Sequence, residues 1–118
     1  MTKTLTEGDL HQFTGSENWY RHGLVRKVVY TDGAKHVADA GGAYWLLDEI
    51  AFAQCDKRIA AEEFQVWTLT VRGSSASLSC ADGNGNTVYR KEIEYTDFPL
   101  PEITLWFTDN TVLLPSEY

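Results

Sequence analysis

The sequence predicts an α+β fold: an antiparallel sheet of about five to seven strands with two helices packed on one face. Three observations carry that expectation. Apolar and polar residues alternate in runs between Phe64 and Tyr95, as in half-buried strands. An apolar period of 3.6 residues runs from Ala43 to Ala53, as in an amphipathic helix, and Asp32-Gly33 and Asp109-Asn110 have the composition of hairpin turns. A length of 118 residues suits one domain, 1–118, and 43% hydrophobic with 13% aromatic residues is enough to build its core.

Taken in order, Thr6 and Asp9 form a variant capping box with Leu5 and Leu10 at the staple positions, which predicts a short helix from about Glu7 to Phe13, ended at Gly15. SENWYRHGL has no clear period and is expected to be an ordered loop or the start of a strand. VRKVVYT is rich in β-branched residues; with Asp32-Gly33 as the turn and AKHVADA as the return, it predicts a β-hairpin over 25–40. His36 would then sit on a strand surface or edge. Gly41-Gly42 end this unit, the second helix follows, and DKRIAAEE adds a helical turn. Strands are expected at 64–71, 75–80 and 87–95, with Tyr89, Ile93 and Tyr95 on one face of the last and Arg90, Glu92 and Glu94 on the other. Phe98-Pro99-Leu100-Pro101 must be extended, because each proline moves its predecessor out of the helical region. ITLWFT and TVLL then make a closing hairpin.

Ten basic against 17 acidic residues give a net charge of −7. A phosphate backbone would be repelled, so direct nucleic-acid binding is not expected. Residues 1–59 carry a net −1 and residues 60–118 a net −6, which concentrates the charge in the second half. No apolar run has the length of a membrane span and the first residues lack a signal core, so a cytoplasmic location is expected. Cys55 and Cys80 are read as free thiols, Cys80 as a small core residue.

DGNGNTVYRKEIE places Asp82, Asn84 and Asn86 at the spacing of the first calcium-loop ligands. The sixth and twelfth positions, Thr87 and Ile93, lack the required glycine and acid. A glycine-bearing turn, with Gly83 and Gly85 supplying positive φ, is the expectation. The histidines and cysteines show no zinc-ligand spacing, and serine-hydrolase and phosphate-loop signatures are absent, so no metal, cofactor or catalytic residue is predicted.

Two constellations remain. Trp106 is opposite in phase to Ile103, Leu105 and Phe107. If those three point inward, it points outward, near Glu92, Glu94, Asp97 and Glu102, the make-up of a docking patch for a basic protein surface. The alternative for Trp106 is cover by a second layer or by another copy of the chain in a homo-oligomer. The second constellation is Trp19, Tyr20, Arg21 and His22, which would line a small-molecule pocket with His22 as a proton carrier, or else divide between core and surface.

Through NWYRH, YTDG, GGAYWLLDEIAFAQ, AAEEFQVWTLTV, DGNGN and DFPLPEITLWFTDNTVLLPSEY, the chain resembles a family of short bacterial proteins catalogued as a domain of unknown function, met in cyanobacteria and on plasmids or other mobile elements. The resemblance spans nearly the whole length. It implies a bacterial cytoplasmic setting and a mobile-element role, and it transfers no catalytic residue. The function expected is therefore a non-enzymatic acidic binding protein. Its concrete form is an inhibitor of a host nucleic-acid-handling defence system, of anti-CRISPR or anti-restriction type, acting by electrostatic and steric occlusion.

Overall fold

The computed structural model describes residues 5–118. The chain forms a mixed α+β structure with a single, mostly antiparallel sheet of seven strands in the order β1-β2-β7-β6-β3-β4-β5. These are β1 (Trp19–Arg21), β2 (Val29–Thr31), β3 (Phe64–Arg72), β4 (Ser75–Ala81), β5 (Thr87–Ile93), β6 (Glu102–Thr108) and β7 (Thr111–Leu113). Four helices are α1 (Glu7–Leu10), α2 (Asp32–Gly41), α3 (Tyr44–Ala53) and α4 (Lys57–Ala60), and a 3-10 turn spans Pro115–Glu117. One pair, β2 with β7, is parallel.

Three of the four long strands, β3, β4 and β6, follow the alternation of the sequence with one buried side. Gln65, Trp67 and Leu69 on β3, Ala76, Leu78 and Cys80 on β4, and Ile103, Leu105 and Phe107 on β6 are buried, while the residues between them are half-buried or exposed. The apolar members of that buried set share one core cluster with Ala34, Val37 and Ala38 of α2 and Leu46, Leu47, Ile50 and Ala51 of α3. Lys91 on β5 reaches Glu49 on α3 at 2.7 Å and ties the outer strand to that helix.

The α1 capping box is present, with Asp9 N–H donating to Thr6 Oγ1 at 3.2 Å and Thr6 N–H to Asp9 Oδ2 at 3.1 Å. The helix stops at Leu10, three residues earlier than its sequence period suggests. The closing hairpin forms as read, Asp109 and Asn110 adopting φ of 53° and 58° for a two-residue turn.

The predicted hairpin over 25–40 does not form. Only Val29–Thr31 is strand, and Asp32-Gly33 opens α2 instead of turning a hairpin. Thr31 is the N-cap, its hydroxyl accepting the Ala34 N–H at 3.2 Å. Ala34, Val37, Ala38 and Gly41 then fall at helical spacing and are buried, so His36 lies on a helix and not on a strand. Gly42, at φ +62°, is the left-handed cap that ends α2. A second correction concerns β5, which ends at Ile93 and leaves Tyr95 73% exposed.

Candidate functional site

Cross-strand register determines which residues share the less buried side of the sheet. Trp106 on β6 stands opposite Val66 on β3 and Leu113 on β7, and Val66 stands opposite Ala81 on β4. The parallel β2/β7 register, continued by one residue, sets Thr31 beside Leu113, and Thr31 pairs with Trp19 on β1. Trp19, Thr31, Leu113, Trp106, Val66 and Ala81 therefore form one row across six strands.

Trp106 is neither fully exposed nor buried. Phe64 packs edge-on against it with ring centroids 5.0 Å apart, and Tyr118 does so at 5.4 Å. Phe64 and Tyr118 also meet each other at 5.8 Å, which closes a three-ring cluster. Trp19 is 59% exposed and Tyr118 is 76% exposed. A cleft of about 380 Å³ beside the cluster is lined by Trp19, Leu113, Asp109 and Tyr118.

The position of Tyr118 is fixed by its neighbour. Glu117 sends Oε1 to the Thr31 hydroxyl at 2.6 Å and the Leu114 N–H at 2.9 Å, and Oε2 accepts the Gly33 N–H at 3.0 Å. A carboxylate at the N-terminus of α2 takes up a backbone donor that the helix cannot satisfy itself and opposes the positive end of its dipole. Sequence reasoning did not find this contact, since it joins residues more than 80 positions apart.

Beyond the aromatic row the same side becomes polar. Thr104, Thr68, Ser79 and Arg90 form one row, and Glu102, Thr70, Ser77 and Glu92 form the next. The four acids predicted with Trp106 are not gathered at one point. Glu102 and Glu92 stand at opposite ends of a four-strand row, about 14 Å apart at the usual strand spacing. Glu92 is engaged by Arg90 Nε at 3.0 Å and by the Ser77 hydroxyl at 2.7 Å, contacts that lower its pKa. Glu94 and Asp97 are exposed after the end of β5, and neither they nor Glu102 take part in an ion pair among the described residues.

Of the alternative pocket, Trp19, Tyr20 and His22 line three different cavities. Trp19 belongs to the cleft beside Tyr118. Tyr20, one residue on and across the sheet, donates its hydroxyl to Asp32 at 3.0 Å in a polar groove with Lys35 and Asp39. Arg21 donates to the Arg26 carbonyl. His22 is 6% exposed beside a cavity of 160 Å³ shared with Leu24, Tyr44 and Asp48. Its Nδ1 accepts N–H groups from Val25 at 2.9 Å and Leu24 at 3.2 Å, so the ring proton sits on Nε2 and is donated to Asp48 Oδ1 at 2.7 Å. Both nitrogens thereby help to hold the 22–25 loop against α3.

The 82–86 segment is a turn. Asp82 Oδ1 accepts the N–H of Asn84 at 2.8 Å and of Asn86 at 2.9 Å, which lowers the Asp82 pKa. Gly85 alone supplies the positive φ, at 88°; Gly83 does not. Among the described residues no group of three or more His, Cys, Asp or Glu is placed to hold a metal ion. Both cysteines are free; Cys55 is exposed, and burial pushes the Cys80 thiol up to about 12. No helix among the described residues is long and apolar enough to cross a membrane.

These features define a mixed α+β protein whose sheet carries an aromatic cluster on its less buried side. The chain belongs to a family of unknown function, DUF6876, whose model matches residues 4–118. No curated protein and no solved structure matches it.

Proposed function

We propose that this protein is a non-enzymatic binding module in which the helices cover one face of the sheet and the other face docks on a partner protein. One observation carries the reading: on β3, β4 and β6 one side is buried throughout, while the other carries the partly buried Trp106 and Phe64, flanked by the exposed rings of Tyr118 and Trp19. Aromatic anchors ringed by polar groups are the usual energetic centre of a protein interface. Here the Ser/Thr rows provide the hydrogen-bonding surround, and Glu94 and Glu102 provide negative charge at the far end. A partner with a basic rim fits that gradient, and its association would be steered by charge and weakened by salt. A groove that otherwise holds phosphates is one such basic surface, which keeps an occlusion role on a nucleic-acid-handling protein within this reading.

The test is capture from lysate of the native cell on three immobilised proteins: the wild type, Trp106→Ala and Phe52→Ala. Phe52 is 47% exposed on α3 and serves as the control for the helical side. Trp106→Ala is expected to lower affinity for the captured partner by about 30-fold, the loss of about 2 kcal/mol typical of a central aromatic anchor. Phe52→Ala is expected to leave capture unchanged, and raised salt to reduce it. Equal capture by wild type and Trp106→Ala, or loss with Phe52→Ala, would contradict the docking face. If sedimentation at two concentrations shows self-association that Trp106→Ala abolishes, the occupant is a second copy of the chain.

A further inference from the structure

β7 is shorter than the strand it pairs with. It covers Trp106–Thr108 of β6 and leaves Glu102–Leu105 without a neighbour on that side. The two-residue turn makes Thr108 and Thr111 a hydrogen-bonded pair, so on β6 the main-chain groups of Thr108, Trp106, Thr104 and Glu102 point toward β7. The Val71 N–H bond to the Pro101 carbonyl at 2.8 Å fixes the same parity from the other edge, since Pro101 and its alternate residues face β3. Continued by two residues, the β6/β7 register would set Pro115 opposite Thr104. Proline has no N–H to donate, and the chain turns away there into the 3-10 turn.

A groove of 400 Å³ lies where β7 would have continued. Its lining includes Glu102 and Thr104 on one wall and Glu7, Leu10, Leu114 and Pro115 on the other. The Ser116 hydroxyl donates to the Leu10 carbonyl at 3.2 Å and holds the second wall together. No backbone partner for Thr104 or Glu102 on this side is found among the described residues. Neither Glu7 nor Glu102 is in an ion pair there, and no Lys or Arg lines the groove.

We infer that this groove is a strand-addition site for a basic extended segment of a partner protein. The incoming strand would bond the Thr104 and Glu102 main chain, place alternate apolar side chains over Leu10 and Leu114, and set Lys or Arg beside Glu7 and Glu102. Four uncovered residues give an edge of about 13 Å, enough for three or four partner residues. The commitment to a basic occupant comes from the two carboxylates, which are in no ion pair among the described residues. This site lies outside the aromatic row; it shares Thr104 and Glu102 with the polar rows of the docking face but uses the open edge of β6, and it does not require the docking-face reading to hold.

The experiment is a titration of the ¹⁵N-labelled full chain with a synthetic ten-residue peptide of alternating Arg and Val. Parallel titrations use the same peptide N-methylated at alternate residues, and an alternating Glu/Val peptide. Amide shifts are expected at Thr104 and Glu102. N-methylation on the bonding edge is expected to abolish binding, the Glu/Val peptide not to bind, and Glu7→Lys with Glu102→Lys to weaken the Arg/Val peptide about tenfold or more. Equal binding of the N-methylated peptide, absence of binding, or shifts confined to Thr68, Ser77 and Trp106 would overturn the inference. The last pattern would leave the docking-face reading standing, whereas shifts at Thr104 that persist in Trp106→Ala would separate the two the other way.

Discussion

Gln65→Ala is expected to destabilise the fold by about 4 kcal/mol, lowering the thermal midpoint by roughly 15 °C. Gln65 is fully buried on β3 between apolar neighbours, and its amide is satisfied on every side. Its Oε1 accepts from Gln54 Nε2 at 2.8 Å and from Trp67 Nε1 at 3.0 Å, while its Nε2 donates to Gln54 Oε1 at 2.9 Å and to the Ile59 carbonyl at 2.9 Å. Truncation leaves Gln54 Oε1 and the indole N–H without partners in a site that water does not reach, each costing about 1–3 kcal/mol on top of the cavity, while Gln54 Nε2 keeps the Ile50 carbonyl and the Ile59 carbonyl keeps the Glu62 N–H. The double variant Gln54→Leu/Gln65→Leu removes both halves of the reciprocal pair and is expected to be much less destabilised than the two single changes summed. Chemical denaturation of the four proteins measures that coupling, and additivity would contradict the network.

Glu117→Gln is expected to cost about 2–3 kcal/mol although it preserves shape. Both carboxylate oxygens face donors: Thr31 Oγ1 and Leu114 N–H on one, Gly33 N–H on the other. Whichever way the amide turns, its NH₂ meets a donor. Gly33 is required in the same place for a steric reason. A Cβ there would lie 2.4 Å from Glu117 Oε1 and 2.7 Å from Leu114 Cδ1, so Gly33→Ala is expected to displace the carboxylate at a cost of about 2 kcal/mol. In a Glu117→Ala background the carboxylate clash is gone, and Gly33→Ala should cost less than it does alone. Denaturation midpoints of the double-mutant cycle test this; full additivity would mean that the two residues do not meet. The contact bears on the proposed docking face because Tyr118, the next residue, packs against Trp106 and Phe64.

Much of this arrangement is legible in the sequence, and the parts that are not share a physical cause. The alternation of β3, β4 and β6 is local, so the strands and the outward phase of Trp106 can be read residue by residue. The period of α3 is local too. The region after Thr31 misleads because Asp-Gly is both a good hairpin turn and a tolerable first helical turn, and the Glu117 carboxylate that accepts the Gly33 N–H there is 84 residues away in sequence. The Ala34, Val37, Ala38 and Gly41 spacing, with Thr31 as an N-cap, was the signal that favoured a helix. Phe64 and Tyr118 are distant from Trp106 in sequence, so the cluster itself has no linear signature. Trp19 and Tyr20 are adjacent in the chain but on opposite faces of a strand, which is why a pocket read from NWYRH does not assemble. Gln65 alternates as an inward residue, yet its polar type conceals its burial, because the partner that satisfies it comes from the end of α3.

The docking face is tested most directly by a photo-crosslinking amino acid placed at Thr68, in the middle of the half-buried side of the sheet, and separately at Tyr44, on the exposed side of α3. In cells of native origin, crosslinks to one basic protein are expected from position 68 and not from position 44. Crosslinks from position 44 alone, or the same partner reached equally from both, would contradict a partner seated on the sheet.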